Sequence, residues 1–544
     1  MLAEFTGYDW GIVIVLVLIA SMPGYLVRKY IKQQADFLIA GRTLSVYLAT
    51  ATLTATEMGL ITVMYFSQQG FLNGFSAFTI GVIAAVTTLF VGLTGFMVSG
   101  LRASGVTTFA EYYQQRYGPG VRVLGGLILA TAGILNYGIF LRTEADFVRF
   151  ITGTPEVVTL AGMNLPALEL VMTVLVIIVL TYTLLGGMVS IVITDYIQFI
   201  ILTVGLGVTT YYILMDPTVG GMAGIASAVE THRPGYGMNP FILKKEGTTL
   251  LGLGGLFVAW QVMHWTATSC WQTQAFRTAA VDSPRTARIM WSFTGINYFG
   301  RALIPMLWGA AALAYFATTG GLGEVKDIEA MPRFVAAILP SGISGLLLAG
   351  MLAALMSTHS GYLLAWSGVL TEDLLAPVCR AFGYTLPDRT RLWITRGFIV
   401  LLGAYLLVFG LWYEVKSSLW NFLAVTGTMY FAGAATLLAF GLYWKRANIG
   451  GAFAGLIAGG APGVLYLVMH ITTLIVEPEI TQVGHVPVHA VAVFSAKLTE
   501  NWIGLISYPL GILGMVIGSL VYASLRGGGG SPSMTAGAKP EVQS

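Results

Sequence analysis

Charge is what this chain has least of. Asp, Glu, Lys and Arg make up 10% of its 544 residues, against about 25% in an ordinary soluble domain. Cysteine is scarcer still, with only Cys270 and Cys379, both in or near apolar segments. No CxxC pair or Cys/His cluster accompanies them, which argues against a metal or redox centre and leaves both as packing residues. A Walker A loop, a redox-cofactor motif and a soluble catalytic domain are all missing, which argues against a transport ATPase or a respiratory subunit. The N-terminus lacks the basic n-region and cleavage site of a secretory signal. Glu4 and Asp9 precede its apolar run, which continues to Arg28.

What fills the chain instead is apolar. Hydrophobic residues account for 56%, mean hydropathy is +0.78, and 67 glycines suit helices that pack closely in lipid. The composition is that of an all-α polytopic membrane protein. About 20 apolar residues cross a bilayer, and that test is met over 9–28, 44–69, 74–99, 122–150, 165–186, 188–215, 249–272, 289–317, 341–371, 392–412, 418–441, 449–472 and 502–525. Thirteen transmembrane helices are therefore expected, with the termini on opposite sides.

Lys and Arg assign the sides. The clusters Arg28/Lys29/Lys32/Arg42, Arg102/Arg116/Arg122, Arg277/Arg285/Arg288, Arg380/Arg389/Arg391, Lys445/Arg446 and Arg526 all fall on one face if the N-terminus is outside. The opposite loops hold acids such as Glu156, Glu324, Asp327, Glu329, Glu477 and Glu479. The C-terminus is then cytoplasmic, its polar tail disordered, and a bacterial inner membrane is the expected location.

Ionisable residues inside spans are costly and mark function by default. Glu57 is mid-span in the second segment, Arg301 near the centre of the eighth, Asp195 in the sixth and His264 in the seventh. Arg142, Glu144 and Asp146 occupy the outer part of the fourth. Plainer readings exist: Asp195 capping a break or pairing with a base, Arg142 with its neighbours as an interfacial cluster, His264 as a packing residue. Glu57 and Arg301 resist such readings, since a mid-span charge cannot snorkel.

The ninth span contains LAGMLAALMSTHSGYLLAWSGVL. Ser357 and Thr358 are adjacent hydroxyls, with Ser360 one turn further. Back-bonding to the preceding turn is the ordinary fate of such hydroxyls; a small hard cation is the alternative. ATEMG (55–59) supplies a reason to prefer the cation. Thr56, Glu57 and Gly59 make a poor helix interior, and an unwound turn there frees the carbonyls of Ala55 and Met58. Broken helices at the midplane are how secondary transporters build ion sites. A Ser357/His359/Asp195 catalytic triad is disfavoured because adjacent helical residues face different ways, so no enzyme is expected.

The chain resembles the sodium:solute symporter family. DFLIAGRTLS (36–45) is similar to the signature before its first core helix, and TFAEYYQQRYG (108–118) to its "pEf…rRf" segment. YTLLGGMVSIVITDYIQ (182–198), MSTHSGYLLAWSGVLTED (356–373) and FGLYWKRAN (440–448) match further motifs in order, over roughly residues 35–450. The resemblance implies a five-plus-five inverted-repeat core of the leucine-transporter type, working by alternating access. One repeat would be 44–215 and the other 249–441, separated by an extracellular loop at 216–248. An extra helix and cytoplasmic loop (1–43), two C-terminal helices (442–527) and the tail (528–544) complete the division.

Carried over residue by residue, the resemblance places sodium on the carbonyls of Ala55, Met58 and Ala354 and the hydroxyls of Ser357 and Thr358. Asp195 and Glu57 become supporting acids. Ser360 is half of a second sodium site, but Gly361 replaces its hydroxyl neighbour, so one sodium per cycle is expected. Sugar-contact positions fall on Thr62, Ile80, Gly81, Ala84 and Ala424, which are mostly apolar. Arg301 keeps a cation at a sugar-binding lysine's place, and Arg142 lies near an arginine used on a carboxylate. Thr62, Arg142, His264 and Arg301 are therefore the candidate solute contacts. The expected activity is sodium-coupled symport of a small organic solute, leaning to a carboxylate. Sodium/sugar symport and proton coupling through Glu57 are the alternatives. The partners are sodium, the solute and the lipid bilayer, with no nucleic acid, and the working unit is a monomer.

Overall fold

The computed structural model describes residues 5–27, 34–160, 162–240, 254–414, 418–480 and 500–526. The cluster Arg28/Lys29/Lys32 and the tail at 528–544 lie outside them. The first helix, α1 (Gly7–Val27), is followed by α2 (Val46–Glu57) and α3 (Leu60–Asn73), which together occupy the expected second span. Then come α4 (Phe78–Thr94), α5 (Pro119–Gly138) and α6 (Phe140–Thr152). A small antiparallel hairpin pairs Val157–Leu160 with Met163–Pro166. Its second strand leads into α7 (Ala167–Met215).

The chain turns sharply within α7 at Gly187, which has φ 50°. Tyr182 Oη lies 3.2 Å from Thr194 Oγ1, whereas twelve residues of straight helix would separate them by about 18 Å. A side chain at Gly187 would also run into Phe37, whose carbonyl oxygen sits 2.8 Å from the Cβ position. Only glycine serves here, and the expected boundary between fifth and sixth spans is this turn.

The second half opens on another broken helix. The helices α8 (Gly254–Ala267) and α9 (Gln272–Ala280) flank a tight turn at Thr268–Cys270 and an extended Trp271. Long helices α10 (Pro284–Thr319), α11 (Ile343–Val369), α12 (Asp388–Trp412), α13 (Leu419–Tyr443), α14 (Ile449–Ile480) and α15 (Glu500–Leu525) follow.

Among the described residues, ten stretches are long and apolar enough to cross a membrane by length and composition. The expected number was thirteen, and breaks account for much of the difference. The seventh span is divided into two short helices, while Leu60–Thr94 counts as a single stretch across the expected second and third spans. The N-terminal apolar helix Gly7–Met22 also falls below the length required. The stretch Ile343–Ala381 is the centre of the bundle: 83% of its apolar window is buried within the protein, against 33% for Asp388–Trp412. Small residues bring the helices together around it. Gly309 and Gly70 each seat against the other helix's backbone where α10 crosses α3, and Gly81 on α4 takes the Cβ of Ala302.

Candidate functional site

The helix break falls where the sequence places it. Met58 leaves helical geometry (φ −100°, ψ 58°), Gly59 is extended (φ −73°, ψ 166°), and α3 begins at Leu60. A break exposes the last carbonyls of the preceding helix, and most find substitutes. Thr54 O accepts from Met58 N, Thr56 O from Thr358 Oγ1 at 2.8 Å, and Glu57 O from Thr62 Oγ1 at 3.0 Å. No hydrogen bond among the described residues is made to the carbonyls of Ala55 or Met58. α11 lies directly against this turn, because a Cβ on Gly59 would meet the side chain of Thr358, its Cβ at 2.9 Å. Ala354, Ser357 and Thr358 are all buried on α11.

Asp195, wholly buried on α7, gathers the hydroxyls on one flank of the break. It accepts from Ser357 Oγ at 2.6 Å, Thr52 Oγ1 at 2.5 Å and Thr56 Oγ1 at 3.3 Å. Its counter-charge is Arg277 on α9, 3.4 Å away and equally buried. Arg277 also donates to Thr52 O, Thr273 O and the hydroxyls of Thr52 and Thr56. Arg277, expected in a cytoplasmic basic loop, is instead interior. The segment QTQAFRTAA is polar enough to read as a loop, yet all nine of its residues are buried. Gly361 makes room for the group, since a Cβ there would lie 2.6 Å from Thr56 Cγ2 and 3.2 Å from Arg277 Nη2. Ser360 is occupied otherwise, accepting from Tyr182 Oη at 2.9 Å and donating to Ser357 O at 3.0 Å.

A second buried cluster flanks the break on its other side. Glu144 Oε2 lies 2.5 Å from His359 Nε2, and Glu144 Oε1 accepts from Ile61 N at 3.3 Å. Tyr137 Oη completes the group 2.6 Å from His359 Nδ1. Glu144 thereby caps the first turn of α3 with a negative charge, where the helix end favours one. Ser357 meets Asp195 while His359 faces Glu144, so His359 points away from the other two residues named for a triad. The sequence marks Glu144 only as one of several charges near a helix end and gives no sign of its pairing with His359, which spans 215 positions.

Between these clusters is a central cavity of about 100 Å³, into which Glu57, Thr62, His264, Arg301 and Thr358 all face. Arg301 Nη1 lies 3.5 Å from Glu57 Oε2, and its guanidinium sits 4.4 Å over the Tyr298 ring. Thr273 Oγ1 donates to the other Glu57 oxygen at 3.2 Å. Glu57 thus belongs to the cavity wall beside Arg301. His264 Nδ1 is 3.2 Å from Tyr508 Oη on α15, so a C-terminal helix backs this wall. Arg142 lines a different cavity, paired with Glu414 at 3.2 Å and donating to Gly410 O. Of the sugar-contact positions, Thr62 and Ala424 line the central cavity, whereas Gly81 is taken up by packing on α10.

The comparisons agree with this architecture. The chain is 23% identical to sodium/proline symporter 2 of Staphylococcus saprophyticus, covering 80% of this chain and 81% of that one. It is 24% identical to the sodium/glucose cotransporter of Vibrio parahaemolyticus, over 80% of each. In structure it is similar to a Na+-coupled sialic acid symporter in a substrate-bound outward-open state, with TM-score 0.76 at 17% identity over 95% and 98% of the two chains. A nucleobase–cation symporter superposes with TM-score 0.52 at 13% identity, covering 90% of this chain and 95% of its own. The fold is accordingly the helical inverted-repeat transporter fold, with sodium as coupling ion. Residues 37–459 match the family's own description, and the chain belongs to the sodium:solute symporter family.

Proposed function

We propose that this chain carries a carboxylate-bearing organic solute inward with one sodium ion per cycle, by alternating access. The observation that carries the reading is the pair of carbonyls at Ala55 and Met58, which accept no hydrogen bond among the described residues at a break packed against Thr358. Sodium takes hydroxyl and carbonyl oxygens without needing a carboxylate, and Ala354 O supplies a fifth. Asp195 supports the site through Ser357, since their hydrogen bond fixes where that hydroxyl's lone pairs point. Asp195 already holds the Arg277 charge, and Ser360 is engaged with Tyr182, which favours a single sodium. Thr358 lines the solute cavity and contacts the break, so the two ligands share a wall. Sodium binding would therefore shape the cavity, and the solute would tighten sodium in return. The membrane potential contributes about 2.3 kcal/mol per charge per 100 mV to that cycle.

Arg301 is the carboxylate anchor in this reading, with Thr62 and His264 beside it; Arg142 and its partner Glu414 act at the outer entrance. Thirteen spans, with the N-terminus outside and the C-terminus cytoplasmic in a bacterial inner membrane, place the sodium pathway in the right sense. The working unit is the monomer, since the whole site lies within one chain. Uptake into proteoliposomes with and without a sodium gradient tests the proposal, across sugars, sugar acids, monocarboxylates and amino acids. Sodium-stimulated uptake that Ser357→Ala abolishes is the expected result. Uptake that follows a proton gradient without sodium overturns the coupling, and intact sodium dependence in Ser357→Ala overturns the site.

A further inference from the structure

The wall of the central cavity carries polar atoms of both kinds without partners. Arg301 is 6% exposed, yet its Nε and Nη1 make no hydrogen bond among the described residues. Gln274, 3% exposed, lines the same cavity with its Oε1 also unpartnered. Buried donors and acceptors left in this condition are costly, so a cavity that keeps them suits a ligand supplying their complements. Arg301 calls for an anionic acceptor, in the planar geometry a carboxylate offers. Gln274 Oε1 calls for a donor.

Charge narrows the class further. Glu57 Oε2 approaches Arg301 Nη1 only to 3.5 Å, close enough to balance the charge and too long for a good hydrogen bond. Thr273 holds the other Glu57 oxygen in place at 3.2 Å. A simple carboxylate laid on Arg301 would bring a second negative charge beside the buried Glu57, where like charges repel strongly. A neutral sugar's hydroxyls can bond to both groups but balance neither charge. A solute with both an ammonium and a carboxylate fits between them: carboxylate on Arg301, N–H on Glu57 and Gln274, and no change in net charge. Much of the remaining wall is aromatic, with Trp265 and Trp420 6.0 Å apart, and suits an apolar side chain.

We infer that the solute is an amino-acid-type zwitterion carrying at least one amine N–H, bound between Arg301 and the Glu57/Gln274 pair. The inference rests on the reading of this cavity as the solute site of a sodium symporter.

Sodium-driven uptake by the full chain in proteoliposomes tests it, with the common α-amino acids, propionate, glucose and N,N,N-trimethylglycine as probes. At least one α-amino acid is taken up with sodium stimulation. Propionate, which has no amine, competes at least tenfold more weakly. Trimethylglycine, which keeps both charges but has no N–H, also competes at least tenfold more weakly. Glu57→Gln lowers amino-acid affinity while propionate competition holds or improves, a reversal that general misfolding cannot produce. Gln274→Leu raises the amino-acid KM and narrows the gap to trimethylglycine. Sodium-stimulated uptake of propionate or glucose with amino acids inert overturns the inference and leaves the symport reading standing. Trimethylglycine matching the amino acids, or an unchanged amino-acid to propionate ratio in Glu57→Gln, also overturns it. Sodium-stimulated uptake of no probe at all, nor of a wider solute panel, sinks both.

Discussion

Asp195 and Arg277 lie 3.4 Å apart with no access to solvent, and they bind the same two threonines, Thr52 and Thr56. The ion pair fastens the kinked helix α7 and the broken helix α9 to the first half of the other broken helix, α2. Losing one partner strands the other as a buried charge, at a cost of about 3–5 kcal/mol. Arg277→Gln is therefore expected to lower thermal stability in detergent severely. The double variant Asp195→Asn/Arg277→Gln should be less damaged than either single one. Additive losses in such a cycle would show that the pair is not coupled.

Gly59 is the closest approach between the break and α11. An added methyl forces Thr358 aside, and overpacking of this kind costs typically about 1–3 kcal/mol. Because Thr358 is a proposed sodium ligand, Gly59→Ala should raise the sodium concentration for half-maximal uptake about tenfold or more, roughly 1.4 kcal/mol. Sodium titration of uptake at saturating solute reads this directly. An unchanged half-saturation value would mean the cation does not bind at this contact.

The Glu144–His359–Tyr137 cluster should rank its members by charge. Glu144→Gln weakens a hydrogen bond to an imidazole and a backbone cap together, at about 1.5–3 kcal/mol for bonds to a charged group. Tyr137→Phe removes a neutral donor, at about 0.5–1.5 kcal/mol. Thermal unfolding of the purified variants in detergent should show the larger shift for Glu144→Gln. A reversed order would place the negative charge elsewhere.

Asp9 on α1 caps α11 from outside the core. Its Oδ1 accepts from Gly342 N at 2.7 Å and Gly345 N at 2.9 Å, while Oδ2 accepts from Ser341 Oγ at 2.8 Å. Replacing such a cap with alanine costs about 0.5–2 kcal/mol. Asp9→Ala should lower the unfolding temperature but leave sodium half-saturation near the wild-type value, because Gly345 is three turns from Ser357 along α11. A large rise in that value would make α1 part of the ion-coupling machinery.

The broken turn was legible locally because Thr56, Glu57 and Gly59 are each poor in a helix interior and adjacent in sequence. The hydroxyls on α11 were legible for the same reason. Arg277 was not, since the polarity of QTQAFRTAA reads as a loop when its partners on α2 and α7 are unseen. Glu144 looked like one of several charges near a helix end, and only its approach to His359 and Ile61 N singles it out. Gln274 gave no signal at all, as an uncharged side chain in a polar stretch.

By itself the sequence determined the membrane class, the positions of most of the apolar helices, the break after Glu57 and the family motifs. These follow from composition, from period-free apolar runs and from residues that a helix cannot accommodate. Tertiary structure alone decided which charges meet. It gave Asp195 to Arg277, His359 to Glu144 and Glu57 to Arg301, and it sent Arg142 to a separate cavity beside Glu414. In a low-dielectric interior every buried charge must find a partner, but that partner comes from packing between helices far apart in the chain, which no local pattern encodes.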